Sequence, residues 1–281
     1  MKIVHIIEEV RQSVQAAKKQ GAKIGLVPTM GALHAGHGSL IEAAMAECDF
    51  VVVTIFVNPT QFGPGEDLDK YPRTLKEDAA YCEKLGADLI FAPSDKEMYP
   101  ASQLVWVDVD KLTEGLCGAK RPGHFRGVTT VCAKLFNIVG ADIAYFGQKD
   151  AQQVAVIRQM VQGLNMLLEI RICPIVREPD GLAVSSRNQY LSADERQRAV
   201  CLSQALTQCK EQIDAGQRDA AILTARMRTV IEHYGGRIDY VEIVDAEILQ
   251  PLHAIEGRVL IAVAVFFGRT RLIDNILLDL K

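Results

Sequence analysis

The stretch that most constrains the fold is residues 50–57, where seven of eight side chains are apolar and the eighth is Thr54. A strand that is apolar on both faces fits a parallel sheet that is covered by helices on both sides. Along the first 176 residues, such runs alternate with segments of helical periodicity. We predict strands at 23–27, 49–57, 88–92, 142–146 and 168–176, and helices at 4–19, 36–48, 74–85, 128–139 and 151–164. This alternation predicts an α/β fold with a Rossmann-like, doubly wound, mostly parallel sheet.

Two segments interrupt the alternation. Residues 105–109 have the pattern of a short additional strand, and residues 114–126 are rich in glycine and proline. The second segment predicts a functional or mobile loop. It carries four basic side chains: Lys120, Arg121, His124 and Arg126.

The pattern changes after residue 176. Ser192 and Glu195 have the spacing of a capping box, which predicts a long helix from 193 to about 215. A second helix at 220–234 is followed by three runs typical of strands. These strands are predicted at 238–244, 259–267 and 272–278. Helices followed by strands indicate a smaller C-terminal α+β domain, so we predict domains at 1–176 and 177–281.

Composition excludes several classes of protein. The 281 residues carry a formal charge of −4, and the basic residues are scattered, which argues against a nucleic-acid-binding surface. No apolar run reaches the roughly 18–20 residues that a membrane span needs, and the N-terminus does not resemble a secretory leader. The seven cysteines lack C-x-x-C spacing, which favours free, mostly buried thiols and a cytoplasmic protein.

The clearest functional signal is the turn after the first strand of the α/β sheet, where His34 and His37 flank Gly36. A strand that enters a helix through a glycine-bearing turn presents backbone N–H groups and the positive end of a helix dipole. Two imidazoles spaced by three residues share one helical face. The arrangement predicts a phosphate site. A shared metal ion, which would need a third ligand, and two unrelated polar residues at a helix start are the alternatives.

A second cluster, Gly147-Gln148-Lys149-Asp150, has the same place at the end of a strand and the start of a helix. Open α/β sheets bind ligands at the carboxyl ends of their strands, and Lys149 can meet a phosphate as a point charge. Asp150 can be simply the N-cap of the following helix. Gln153, about one turn further along, can direct its amide to the same pocket.

Two further clusters lie in predicted loops. Ser185, Ser186 and Arg187 follow a turn and can form a mobile clamp on phosphates, the alternative being a solvated loop. Asn58 and Gln61 come just after the 49–57 strand, and their amides suit recognition of hydroxyl or carboxylate groups. An ordinary surface turn is the alternative for this pair.

With these clusters in view, His34-Ala35-Gly36-His37 resembles the H-x-G-H signature of the nucleotidyltransferase superfamily. The whole chain is similar to the pantothenate synthetase, or pantoate–β-alanine ligase, family. The matching blocks, in order, are 28–31 with the histidine pair, 56–62, 71–74, 121–128, 147–150, 185–188 and 271–275. Gly38 departs from the family, which more often has a larger residue there. A glycine at this point costs up to ~1 kcal/mol of helix stability.

The resemblance implies two half-reactions. ATP and pantoate give pantoyl adenylate and pyrophosphate, and the amine of β-alanine then displaces AMP to form pantothenate. A carboxylate is a poor acyl donor, and adenylation gives it a good leaving group. The enzyme's part is to position the reactants and to stabilise charge on the phosphates.

The resemblance also implies roles for individual residues. His34, His37 and Lys149 are the implied catalytic residues, with His37 as the proton donor. Gln61, Gln153 and Asn58 are the implied substrate-binding residues. The implied ATP-binding residues are Met30, Gly31, His34, His37, Gly147, Lys149, Asp150, Val176, Val184, Ser185, Ser186 and Arg187.

By the same resemblance, residues 1–176 bind the nucleotide and pantoate, and residues 177–281 act as a lid. ATP is a substrate, and Mg²⁺ is held mainly by its phosphates rather than by protein ligands. The implied assembly is a homodimer joined through the N-terminal domain. Two other functions stay open: a nucleotidyltransferase that forms only a nucleotidyl product, and a non-catalytic nucleotide-binding module.

Overall fold

A computed structural model describes residues 1–66 and 68–280. Within them the chain forms two compact units. The first unit comprises Met1–Asp110, Lys120–Gly147 and Val156–Pro174. The second unit comprises Lys111–Ala119, Gln148–Ala155 and the chain from Ile175 onwards. Two short segments that precede residue 176 therefore group with the second unit, and the functional division into two domains stays a prediction.

The first unit is built on a six-stranded parallel sheet in the order β1-β4-β3-β2-β5-β6. Its strands are β1 (Lys2–Val4), β2 (Ile24–Thr29), β3 (Phe50–Ile55), β4 (Leu89–Phe91), β5 (Ile143–Gly147) and β6 (Glu169–Cys173). The chain winds outward from β2 through β3 to β4 and then crosses to β5, on the other side of β2. This reversal is the topological switch point at which open α/β sheets bind ligands. The predicted Rossmann-like α/β fold is confirmed.

Helices lie between these strands along the chain, and those at 7–19, 35–47 and 124–139 pack on the sheet. The helices are α1 (Ile7–Lys19), α2 (Ala35–Glu47), α3 (Leu75–Lys84), α4 (Asp95–Met98), α5 (Leu116–Lys120), α6 (His124–Val139) and α7 (Ala151–Gly163). Ile41 and Ala44 of α2 pack on Val27, Val53 and their neighbours in one continuous core. Each buried aliphatic side chain contributes about 1.5–3 kcal/mol.

Two predictions for the first unit are wrong. The N-terminal helix begins at Ile7 rather than residue 4, because Lys2–Val4 pairs with β4, a long-range contact that local periodicity does not encode. Residues 105–109 are not a strand. The backbone of Val107 is instead satisfied by threonines of α6: its N–H donates to Thr130 Oγ1 at 3.1 Å, and its carbonyl accepts from Thr129 Oγ1 at 2.6 Å.

The predicted loop at 114–126 is also partly wrong, since it contains α5 and the start of α6. Gly123 has a φ of 81° and caps α6, so the helix begins four residues before the predicted start at 128. Gly127 then lies inside the helix. A Cβ at this position would come within 2.4 Å of the Thr60 carbonyl oxygen, so the glycine permits close packing of α6 on the 59–61 turn.

The second unit contains an antiparallel sheet in the order β7-β8-β9, and its three strands are the ones that the sequence predicts. Its elements are α8 (Ala193–Ala199), α9 (Cys201–Asp214), α10 (Ala220–His233), β7 (Arg237–Asp245), β8 (Arg258–Phe267) and β9 (Thr270–Asp279). The capping box of Ser192 and Glu195 is confirmed. The prediction of a single long helix at 193–215 is wrong, since the segment is divided at Val200 into α8 and α9. Val200 keeps helical angles of −59° and −23°, so the interruption is one residue long.

All seven cysteines are free, and six of them are buried, as predicted from their apolar surroundings. Burial raises the pKa of Cys82 and Cys132 to about 12, so these thiols stay protonated at neutral pH. Cys117 is the half-exposed exception. In the described part of the chain, no helix is both long and apolar enough for a membrane span.

Candidate active site

The turn from β2 into α2 brings the two histidines together. His34 is the N-cap of α2, with extended backbone angles, and His37 is the third residue of the helix. Their ring centroids are 4.1 Å apart, and both side chains are half-buried. The prediction of two histidines on one helical face is therefore only partly right, because His34 precedes the helix, but the rings do meet.

The histidines cap the helix reciprocally. His34 Nδ1 accepts from the Gly36 N–H at 3.1 Å, and His37 Nδ1 accepts from the His34 N–H at 3.4 Å. A ring nitrogen that accepts from a backbone N–H carries no proton, so each neutral ring has its proton on Nε2. The cap thus fixes the tautomer of both rings and provides two Nε2–H donors at the positive end of α2.

The approach to His34 uses unusual backbone angles. Gly31 and Ala32 have φ values of 86° and 51°, and the second is uncommon for a residue with a side chain. Gly36 leaves room for the first imidazole, since a Cβ there would be 2.9 Å from His34 Cε1. A sharp turn of this kind needs an external partner to hold it.

That partner is Asp78, in the first turn of α3. Its carboxylate, 3% exposed, accepts from the Leu33 N–H at 2.8 Å and the Ala32 N–H at 3.1 Å. Thr74 Oγ1 donates to the same carboxylate at 3.2 Å. A buried carboxylate with three donors is well satisfied, so Asp78 fixes the turn that carries His34.

The loop after β3 places Gln61 against Met30. Gln61 Nε2 lies 3.1 Å from Met30 Sδ, and Gln61 Oε1 accepts from Asn58 Nδ2 at 3.1 Å. Asn58 is 1% exposed, and its second amide contact is the Gly127 carbonyl at 3.2 Å. Asn58 Oδ1 accepts from Thr60 and from the Tyr99 hydroxyl. The Asn58 amide is therefore used within the protein and orients Gln61, whereas the prediction assigned it to substrate.

Three charged or polar side chains fix the backbone at Gln61. His124 Nδ1 is 2.8 Å from the Gln61 carbonyl oxygen, and Arg121 donates to His124 Nε2 at 3.0 Å. Since arginine cannot accept, His124 Nε2 is the acceptor and Nδ1–H donates to Gln61. Arg121 also forms an ion pair with Glu66. Burial raises the pKa of the Glu66 carboxyl group, but the hydrogen bond and the positive charge of Arg121 together outweigh burial, so this pKa lies below its usual value. Two of the basic residues predicted to lie in a mobile loop thus have structural roles.

In the second unit, Lys149 lies in a 3-10 turn at Gln148–Asp150, directly after β5 and before α7. Lys149 is half-buried, and Asp150 is exposed. Asn275 of β9 donates through Nδ2 to the carbonyls of Gln148 and Lys149, at 3.0 and 2.9 Å. Gln148 Nε2 in turn donates to Asn275 Oδ1 at 3.4 Å.

Asp274, the preceding residue, holds the other predicted phosphate-binding segment. Its buried carboxylate forms a bidentate pair with Arg177, with distances of 2.7 and 2.9 Å. Arg177 also donates to the Gly181 carbonyl at 3.0 Å. The chain then pairs back on itself, with Val184 N–H donating to the Val176 carbonyl at 2.9 Å.

Ser185 caps the 3-10 turn at Ser186–Tyr190, its hydroxyl accepting from the Arg187 N–H at 3.3 Å. Ser185, Ser186 and Arg187 are all half-buried. Both 3-10 turns pack against β9. The second unit thus brings Lys149 and the predicted serine–arginine segment onto one strand.

The structure separates two adjacent glutamines that the sequence leaves equivalent. Gln152 is buried, and its amide binds a neighbouring loop: Nε2 donates to the Leu112 and Gly115 carbonyls, and Oε1 accepts from the Cys117 N–H, each at 2.9 Å. Gln153 is half-buried on the next position of α7. Gln152 is therefore a structural residue, and the assignment of Gln153 to substrate stays a prediction.

Sequence reasoning missed the residues that hold these side chains in place. Asp78 and Gln152 are buried polar residues in helices, and Asp274 and Asn275 are buried polar residues in a strand. A polar pair inside an otherwise apolar strand was the available signal for the last two, because such residues are rarely buried without partners.

Comparison with known proteins identifies the family. A sequence model described as Pantoate-beta-alanine ligase matches residues 2–277. Pantothenate synthetase of Clostridium novyi is 54% identical over 98% of this chain and 97% of that protein. The crystal structure of pantothenate synthetase from Thermus thermophilus has a TM-score of 0.93 at 44% identity, covering 98% of this chain and 99% of that one. A Francisella tularensis pantoate-beta-alanine ligase, solved with beta-gamma ATP and beta-alanine, has a TM-score of 0.81 at 36% identity, covering 99% and 97%. The chain therefore belongs to the pantoate–β-alanine ligase family.

Proposed function

We propose that this chain joins pantoate to β-alanine in two steps, the first of which consumes ATP. The pantoate carboxylate attacks the α-phosphorus of ATP, forming pantoyl adenylate and releasing pyrophosphate. The β-alanine amine then attacks the acyl carbon, forming the amide and releasing AMP. Family membership over nearly the whole chain and the ATP and β-alanine bound by the Francisella relative support this reaction.

The observation that carries the proposal is the reciprocal histidine cap at the start of α2. In this cap both Nδ1 atoms accept from backbone N–H groups, so the proton of each neutral ring is on Nε2, at a helix end that already favours anions. His34 and His37 would stabilise negative charge that builds on the phosphates during adenylation, with His37 as the proton donor. Donors fixed before the reaction stabilise the transition state most effectively, because no reorganisation is needed as charge develops.

Other predicted residues supply further contacts with the nucleotide. Lys149 would bind phosphate as a point charge, together with the hydroxyls of Ser185 and Ser186 and the guanidinium of Arg187. Met30, Gly31, Gly147, Asp150, Val176 and Val184 would line the nucleotide site, partly through backbone groups. The nucleotide- and pantoate-binding role of residues 1–176 and the lid role of residues 177–281 belong to the same proposal.

Gln61 and Gln153 would bind the hydroxyls and carboxylate of pantoate, and Gln61 also has the chemistry to meet β-alanine. We assign Asn58 to the orientation of Gln61, because both observed contacts of its amide nitrogen are with protein oxygens. With Oε1 held by Asn58, Gln61 Nε2 is the amide atom oriented toward Met30, at the end of β2.

Mg²⁺ would arrive with ATP and be coordinated mainly by phosphate oxygens and water. Within residues 1–66 and 68–280, no group of three or more His, Cys, Asp or Glu side chains is arranged to hold a metal ion. We also propose that the protein is cytoplasmic and forms a homodimer through its N-terminal domain.

A pyrophosphate-exchange assay tests the function directly. We expect labelled pyrophosphate to enter ATP only when pantoate is present, and β-alanine to trigger release of AMP with equimolar pantothenate. Exchange without any amide product would favour the alternative, a nucleotidyltransferase that stops at a nucleotidyl product. ATP binding without turnover under any pair of acid and amine would indicate a non-catalytic module.

A further inference from the structure

The block at 271–275 resembles the family without having a role in the reaction as described so far. Its last residue, Asn275, is 3% exposed in β9 and uses its entire amide on one short turn. Both amide protons go to consecutive carbonyls, those of Gln148 and Lys149, and the amide oxygen accepts from Gln148 Nε2. Two bonds to consecutive carbonyls fix the peptide planes on either side of the Lys149 Cα, and therefore the direction in which its side chain leaves the backbone.

Asn275 is itself fixed by its neighbour. Its backbone N–H donates to Asp274 Oδ1 at 2.7 Å, and Asp274 is held by the bidentate pair with Arg177. The Asn275 side chain that holds the Lys149 turn is therefore itself held in place. The residues that follow it in the strand, Ile276 and Leu277, are apolar.

Stability of the sheet alone does not explain this pair. An apolar residue at either position would bury surface without the desolvation cost that a buried amide or carboxylate carries. No other common side chain reproduces the contact either, since aspartate has no donor, serine has a single one, and glutamine is longer by one methylene. The polar residues occur where β9 meets the turn that carries the proposed phosphate-binding lysine.

We propose that Asn275 is a positioning residue for the adenylation step, which acts by setting the geometry of Lys149. The proposal rests on the proposed function, in which Lys149 binds the phosphates. Small displacements of a charge-stabilising group can reduce rates by as much as a hundredfold, so the loss of both carbonyl contacts predicts a measurable defect.

A double-mutant cycle tests this coupling. Single-turnover adenylation and ATP affinity are measured in wild type, Asn275→Ala, Lys149→Ala and the double variant. We expect Asn275→Ala to slow adenylation by about 10- to 100-fold and to weaken ATP binding. In the Lys149→Ala background, Asn275→Ala should slow adenylation by less than about threefold, because the side chain that Asn275 positions is already absent. Equal costs in both backgrounds would overturn the proposal.

The control is Leu278→Ala, a half-buried position three residues further along the same strand, which should lower stability without coupling to Lys149. If Asn275→Ala does not fold at the assay temperature, Asn275→Ser, which keeps one donor, takes its place in the cycle. Wild-type protein without pantoate-dependent pyrophosphate exchange would refute the proposed function itself. If the wild type is active and the effects of Asn275→Ala and Lys149→Ala on adenylation are additive, only the positioning role is refuted.

Discussion

The two units hold their proposed phosphate-binding groups in different ways. In the first unit, His34 and His37 complete the helix cap, so each ring is part of the local structure as well as of the proposed chemistry. In the second unit, the turn that carries Lys149 is held through backbone carbonyls by Asn275. The difference predicts that changes at the histidines affect stability and rate together, whereas changes at Lys149 affect rate alone.

The largest effect is expected at His37. His37→Ala should slow single-turnover adenylation by about 10²–10³-fold, the loss typical of one charge-stabilising donor. It should also cost roughly 1 kcal/mol in the free energy of unfolding, since the His34 N–H loses its acceptor. Rapid-quench kinetics and urea denaturation measure the two quantities separately.

Two variants separate cap from chemistry. In His37→Asn, the side-chain oxygen can replace Nδ1 as acceptor, so stability should recover while adenylation stays slow. Lys149→Ala should slow adenylation with little change in stability. Near-normal adenylation in His37→Ala would contradict this difference between the two units. The same holds if Lys149→Ala lowers the free energy of unfolding as much as His37→Ala does.

Asp78 tests how strongly the first unit depends on its buried carboxylate. Asp78→Asn keeps the shape but turns an amide N–H₂ toward backbone donors, leaving one of them without an acceptor. We expect a loss of about 1–3 kcal/mol in the free energy of unfolding, with slower adenylation because the turn before His34 loosens. The matched control is Asp88→Asn, at a carboxylate that accepts from the Val51 N–H away from the histidine turn. If Asp78→Asn lowers stability with adenylation unchanged, Asp78 supports the fold but not the histidines.

This division also explains what the sequence could predict. The alternation of strands and helices follows from apolar runs and helical periodicity, and the candidate phosphate-binding residues follow from glycine turns at strand ends, since both signals are local. Asp78 lies 41 residues beyond His37, and Asn275 lies 126 residues beyond Lys149. No local pattern links such pairs, so the supporting residues become visible only when the chain is folded. The same holds for β1, whose partner β4 is distant in sequence.

A smaller effect separates the two adjacent glutamines of α7. Gln153→Ala should raise the KM for pantoate about tenfold, which corresponds to the loss of one hydrogen bond of roughly 1.4 kcal/mol. The KM for ATP should stay nearly unchanged. Gln152→Ala is the matched control, since it removes three contacts with the 112–117 loop and should lower stability without preference between substrates. Steady-state KM values for both substrates decide the question. An equal effect of Gln153→Ala on pantoate and ATP would remove it from the pantoate site.

The smallest effect concerns Gly38, the fourth residue of α2. A Cβ at this buried position would lie 2.4 Å from the Tyr81 hydroxyl oxygen, so the glycine matches a tyrosine that reaches over α2. Gly38→Ala gains up to ~1 kcal/mol of helix propensity but has to displace the hydroxyl, and we expect little net change in stability. In a Tyr81→Phe background, the same substitution should raise the free energy of unfolding by several tenths to about 1 kcal/mol, because the obstructing oxygen is gone. Denaturant unfolding of the four proteins measures the difference. If Gly38→Ala changes stability equally in both backgrounds, the Tyr81 hydroxyl group is not the reason for a glycine at position 38.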